Sequence, residues 1–217
     1  VADWINNSCG GTRWRTLSNG LIEIDGEGTP AYAPTSAEFA NLQRTWTNWQ
    51  SLFRSASRQY GVPLSWLVGI ATNETGPWSK DPAGQASIIS FDQGVGIMQI
   101  TKYPGTTVEQ MLVPAQNIAT GASILRKHSD RYGGELPYVA AAYNAGGVYC
   151  SPGNNEWNFR TTGNYPRRAV QYNNAAIMYL PLGAMTFASM LGWSLTGGII
   201  AGVGWFGLRW WRERTGK

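Results

Sequence analysis

The chain has 217 residues, a formal net charge of +4 and only 14% charged residues, enough for one ordinary domain with a proper core and appendages but not for two large domains. A mildly basic surface suits an anionic cell wall or membrane face. No dense Lys/Arg run interleaved with aromatics occurs, so nucleic acid is excluded as the expected partner.

Residues 1–35 are rich in Gly, Asn, Thr and Pro and contain one alternating run, Leu21-Ile22-Glu23-Ile24-Asp25-Gly26; this predicts a small hairpin or strand, a short β-like N-terminal extension. From Ser36, which is placed to cap a helix, Phe39, Leu42, Trp46, Trp49 and Phe53 form a helical stripe suited to a core. Gly61-Val62-Pro63 breaks the chain before a second, apolar helix. Further helices are predicted over Thr107–Leu112, Pro114–Tyr132 and Leu136–Asn144, with Gly133-Gly134 as a stop, and over Pro166–Ile177, where Pro suits a first turn; 147–165 reads as loop. Cys9 and Cys150 are far apart without metal-ligand spacing, and His128, the single histidine, sits beside Lys127. No metal site and no cofactor is therefore expected. A Cys9–Cys150 disulfide, given an oxidising compartment, and two unpaired thiols both fit.

The chemistry-bearing residue is Glu74. It ends the apolar stretch that begins at Leu64, and Leu67, Ile70, Ala71 and Glu74 follow the i, i+3, i+4, i+7 pattern of one helix face. Gly76 and Pro77 stop the helix just beyond, which puts the carboxyl near the negative end of the helix dipole. Burial and the dipole both disfavour the ionised form, and a carboxylic acid that keeps its proton near neutral pH is what acid-catalysed glycosidic cleavage requires.

Downstream lie Gly94-Val95-Gly96-Ile97-Met98-Gln99-Ile100, then Asn117-Ile118-Ala119-Thr120-Gly121-Ala122-Ser123-Ile124-Leu125, then Ala140-Ala141-Ala142-Tyr143-Asn144-Ala145-Gly146-Gly147. With Glu74-Thr75 in front, this ordered set resembles the catalytic domain of lytic transglycosylases and their relatives the goose-type lysozymes, which carry a catalytic Glu and a hydroxyl residue, Gly-Leu-Met-Gln, and Ala-Tyr-Asn-Ala-Gly. The resemblance covers roughly residues 60 to 175. Thr75 replaces the usual Ser and Ile97 the usual Leu, and the stretch from Glu74 to Gly96 is longer than usual.

The resemblance implies a mainly α, lysozyme-like fold in which Glu74 first protonates the leaving oxygen of the N-acetylmuramic acid to N-acetylglucosamine bond. The substrate's own N-acetyl group stabilises the cationic centre. Glu74 then acts as base while the muramic 6-hydroxyl closes a 1,6-anhydro ring. It further implies Thr75, Met98, Gln99, Tyr143, Asn144 and Tyr165 as substrate-binding residues. Trp78 and Trp157 are candidates for sugar stacking, against core or loop packing. The alternatives are goose-type hydrolysis with Asp92 as a second carboxylate, although its offset from the Gly-Ile-Met-Gln segment does not coincide with theirs, and a non-catalytic wall-binding envelope or virion protein.

No charged residue occurs from Ala169 to Leu208, and Leu182–Leu208 is mostly Gly, Ala, Leu, Ile, Met, Phe and Trp, followed by Arg209, Arg212, Arg214 and Lys217. As a helix this part would extend about 40 Å, against about 30 Å of hydrocarbon in a bilayer. The expected division is therefore an N-terminal extension over 1–35, a lysozyme-like domain over 36–177, and a C-terminal transmembrane helix with a basic tail over 178–217. Partners would be peptidoglycan strands, the membrane through 182–208, and envelope or virion components. The basic end would face the cytoplasm and the Glu74 domain the wall side.

Overall fold

The computed structural model describes residues 3–27, 35–79, 81–101 and 104–182. Its first helix, α1 (Ser36–Tyr60), is capped one residue earlier than expected. Thr35 is the N-cap, its hydroxyl accepting from Glu38 N at 3.3 Å while the Glu38 carboxylate accepts from Thr35 N at 2.9 Å. That reciprocal pair needs a Glu three residues after the cap, and Thr35-Ser36-Ala37-Glu38 supplies it only if Thr35 holds the position. The predicted stripe is real: Leu42, Trp46, Trp49 and Phe53 are buried. The helix ends at Gly61, in the left-handed region at φ 63°, where glycine carries no Cβ penalty.

The second helix, α2 (Leu64–Thr75), is buried on nearly every side. It lies between α1 and the closing helix α7 (Tyr165–Tyr179), which explains why its sequence is apolar all round. The close approach to α7 is made at Gly69, where a Cβ would stand 3.2 Å from Asn173 N and 3.3 Å from Tyr172 Cβ. Between them in sequence come α3 (Pro82–Ser87), α4 (Val108–Met111), α5 (Pro114–Arg131) and α6 (Leu136–Ala145). Of these α3 has no counterpart among the expected helices; its short turn starts on Asp81, whose carboxylate accepts from Gly84 N at 2.7 Å. The closing helix runs two residues past the expected Ile177, because Ala175, Ala176 and then Leu180 still bury against the core.

The N-terminal run forms a hairpin of β1 (Trp14–Thr16) and β2 (Ile22–Ile24), antiparallel with Trp14 opposite Ile24. It shares the helical core. Trp14 is fully buried among the rings of Tyr138, Trp157 and Phe159. Asn174 on α7 accepts from Ile22 N at 2.9 Å and donates to Ile22 O at 2.8 Å, in place of a neighbouring strand.

Cys9 and Cys150 are joined in a disulfide, which settles the choice left open by the sequence. The two cysteines are 141 residues apart, and a closed loop of that size predicts a loss of about 2–5 kcal/mol of stability in Cys9→Ser/Cys150→Ser. Urea denaturation of the variant beside the oxidised protein checks this.

The expected fold needs one correction, at its C-terminal transmembrane helix. Among the described residues no helix is long and apolar enough to cross a membrane. The physical reason is plain for the two nearest candidates. The 25-residue α1 is long enough but carries Glu38, Arg44, Arg54 and Arg58, while the apolar α2 has 12 residues and so extends about 18 Å. The mainly helical domain with a short N-terminal strand pair stands; residues 183–217, on which most of the expected span falls, lie outside the described residues.

Candidate active site

Glu74 is the penultimate residue of α2, and the local sequence aims it at the start of α7. There the hydroxyl of Tyr165, the first residue of that helix, donates to Glu74 Oε1. Tyr143 comes from α6; its hydroxyl donates to Met98 O at 2.7 Å, and it lies near enough to Glu74 for the two to interact electrostatically. Both phenols are held well above their ordinary range, chiefly by burial and then by the neighbouring carboxyl. They therefore remain hydrogen-bond donors throughout the physiological range.

Burial pushes Glu74 up to about 7 from 4.5, and the nearby Asp92 charge adds to the rise; the Tyr165 hydrogen bond and the Arg168 guanidinium act against it. Desolvation wins. At neutral pH the carboxyl is thus poised to give a proton and to take one back.

The residues expected from the sequence sort into two groups. Tyr165 bonds to Glu74, and Tyr143 lies within its electrostatic reach. Thr75, Met98, Gln99 and Asn144 build the frame around it. The Thr75 hydroxyl is fully buried and bonds to Ala71 O at 3.1 Å and Ile97 O at 3.2 Å, tying α2 to the Gly96 turn. Met98 is buried against Gly121, where an added Cβ would come within 2.8 Å of its side chain. Gln99, half-buried at φ 47°, donates from Nε2 to Gly96 O at 2.7 Å. Asn144 accepts from Thr162 N at 2.8 Å and so fixes the loop that leads into Tyr165. Trp157 is a core residue, whereas Trp78 is largely exposed.

Asp92 lies within electrostatic reach of Glu74. Its carboxylate is exposed and accepts from the Ser90 hydroxyl, and that bond holds it below the usual carboxylate range. It is an ionised neighbour whose side chain closes a turn.

Three participants do not stand out in the sequence. Arg168 stands one turn after Tyr165 on α7, and its Nε donates to Asn73 Oδ1 at 2.8 Å. Asn73 in turn donates to Tyr165 O at 3.4 Å. The i, i+3 spacing of Tyr165 and Arg168 is the available signal. Asn117, visible in the sequence only as part of a helix rhythm, is fully buried and holds three backbone groups of the Gly96 turn and its surroundings.

The model of the transglycosylase SLT domain family matches residues 51–155. This stretch is therefore similar to that family. It contains Glu74, the Gly96 turn and the Tyr143-Asn144 pair, and stops short of Tyr165 and Arg168. Among solved structures, the chain is similar to an inactive mutant of the lytic transglycosylase Slt from Pseudomonas aeruginosa, at 20% identity and a TM-score of 0.41, over 59% of this chain and 22% of that one. The chain therefore spans about a fifth of the length of that protein.

The electrostatics around Glu74 predict opposite shifts in two variants. Asp92→Asn removes a like charge and should move the alkaline limb of kcat/KM, set by Glu74 near 7, to lower pH. Tyr165→Phe removes a bond that favours the ionised form and should move it higher. Activity profiles between about pH 5 and 9 on purified cell walls check both signs.

Proposed function

We propose that the protein is a peptidoglycan lytic transglycosylase that cuts the N-acetylmuramic acid to N-acetylglucosamine β-1,4 bond. The observation that carries this reading is a single carboxyl, Glu74, held near neutrality and hydrogen-bonded by Tyr165 at the end of a buried helix of an SLT domain. In its protonated form Glu74 gives its proton to the glycosidic oxygen as the C1–O bond breaks, and the resulting carboxylate then takes the proton of the muramic 6-hydroxyl as O6 bonds to C1. The proton count returns to its start and no water is consumed. Tyr165 donates to one carboxyl oxygen throughout, so the ionised intermediate stage is supported while burial favours the protonated resting form. Arg168 and Asn73 hold the tyrosine and the helix start in place.

Asp92, the carboxylate of the hydrolytic alternative, is engaged by Ser90 in its own turn. With Glu74 as the one acid and base, released fragments are expected to carry 1,6-anhydromuramic ends, lighter by one water than hydrolysed ends. Mass spectrometry of digested peptidoglycan tests this, and predominantly reducing ends would hand the reaction to a lysozyme-type mechanism. The Cys9–Cys150 disulfide supports a site of action in an oxidising, extracytoplasmic compartment, where local wall opening takes place.

A further inference from the structure

The stretch between Glu74 and Gly96 has a defined build. Its middle, α3, is pinned to α1 through Gln85, which is fully buried: Gln85 Oε1 accepts from Asn48 Nδ2 at 2.8 Å and Trp49 Nε1 at 2.9 Å, and Nε2 donates to Thr45 Oγ1 at 3.2 Å. Its two ends carry large apolar side chains in solvent. Trp78 is 76% exposed and Phe91 completely so, with Ile89 at 56% between them; these are three of the seven large hydrophobics exposed among the described residues. The other four, Val108, Val113, Tyr149 and Tyr179, are spread over the rest of the chain.

Phe91 does not sit on a loose loop. Ser90 N donates to Gly94 O at 2.8 Å, Gln93 N to Ser90 O at 3.0 Å and Gly94 N to Ser90 Oγ at 2.9 Å, while Ser90 Oγ donates to Asp92. Gln93 takes φ 66° to close the turn, a conformation that costs a non-glycine residue energy. The turn that engages the Asp92 carboxylate thus displays Phe91 beside it. Trp78 is displayed from the other end, where its backbone N–H donates to Thr75 O at 3.0 Å, directly after the helix turn that bears Glu74.

We infer that Trp78 and Phe91 are sugar-binding residues that stack on pyranose rings of the glycan strand cut at Glu74. Both aromatics are continuous with the Glu74 site, Trp78 through the end of α2 and Phe91 through Asp92, which is close enough to influence Glu74. The faces of N-acetylglucosamine and N-acetylmuramic acid rings present C–H groups that match the negative face of an aromatic ring. A saccharide with polar edges and apolar faces fits two separated, water-exposed rings better than a continuous apolar partner does. This inference rests on peptidoglycan being the substrate, and it assigns the long loop a role in holding the strand.

The test uses the full chain made catalytically silent by Glu74→Gln, so that binding is read without turnover. Sedimentation with insoluble peptidoglycan is compared for this protein and for the same protein carrying Trp78→Ala, Phe91→Ala or both, with melting temperatures recorded beside them. Each aromatic truncation should weaken binding about tenfold, and the double variant more, with the melting temperature unchanged. In the active protein the same truncations should raise KM much more than they lower kcat. Equal sedimentation of all variants overturns the platform while leaving peptidoglycan as the substrate. A loss confined to binding of phosphatidylglycerol vesicles also overturns it, in favour of a lipid surface. Failure of the Glu74→Gln protein itself to sediment removes the substrate reading and the platform with it.

Discussion

Glu74→Gln should remain folded and lose about a hundredfold to ten-thousandfold of its wall-cleaving activity, the usual worth of a positioned general acid and base. The amide keeps the shape and still accepts the Tyr165 hydrogen bond, but has no acidic proton to give to a leaving oxygen. The same substitution has a second expected effect, on stability, with a definite sign. Burial raises Glu74 from 4.5 to about 7 in the folded state. Between those values the folded protein holds a proton that the unfolded chain has released, so stability falls as the pH rises through this window. Below about 4.5 both states are protonated and the loss is absent; above about 7 both are ionised and it is complete. Gln carries no such penalty. The variant should therefore be more stable than the wild type above about pH 7, by up to about 3 kcal/mol, with the difference vanishing near pH 4.5. Urea denaturation at about pH 4.5 and about pH 8, together with a zymogram, checks both halves. A folded Glu74→Gln protein with wild-type activity would refute the assignment.

That exchange of stability for reactivity also explains why Glu74 is legible in the sequence itself. An ionisable group on the buried stripe of an apolar helix violates the pattern around it, and such violations mark functional positions. The long periodic helices α1, α5 and α6 are legible for the opposite reason, since hydrophobic spacing and Gly or Pro punctuation agree. What escapes is decided by contacts distant in sequence. The α3 turn owes its place to the hydrogen bonds of Gln85 with Thr45, Asn48 and Trp49, some 40 residues earlier. The strand β2 falls within the expected run, but its completion by Asn174, 152 residues from Ile22, does not show there. Arg168 reaches the site because α7 crosses α2 at Gly69, a crossing that the spacing of glycines alone does not announce. The motif residues Thr75, Met98, Gln99 and Asn144 are legible as positions, while the orientation of their side chains toward the backbone of the frame emerges only from packing.

Asn117→Leu should be the most damaging substitution outside the reacting group, because one side chain satisfies three backbone groups, two in the Gly96 turn and one at the end of α4. Its Oδ1 accepts from Met98 N at 2.7 Å, and its Nδ2 donates to Val95 O at 2.8 Å and to Met111 O at 2.9 Å. Asn117 is fully buried, so water does not replace these partners. Leaving a buried donor or acceptor unpaired costs about 1–3 kcal/mol, and relaxation will recover part of the sum, so a loss of about 3 kcal/mol or more is expected. The space offers no easy repair. Gly96, at φ 70°, packs so closely that a Cβ there would stand 2.6 Å from Asn117 Nδ2 and 2.7 Å from Met111 O, and a branched Leu has no room to turn away. The turn it releases carries Met98, whose carbonyl accepts the Tyr143 hydrogen bond beside Glu74. Activity should therefore fall together with stability, and by more than the unfolded fraction accounts for. Comparing specific activity with the folded fraction, measured by circular dichroism well below the melting temperature, separates the two. Wild-type stability in Asn117→Leu would show that the turn holds itself without this side chain; normal activity per folded molecule would show that the turn does not govern the placement of Tyr143.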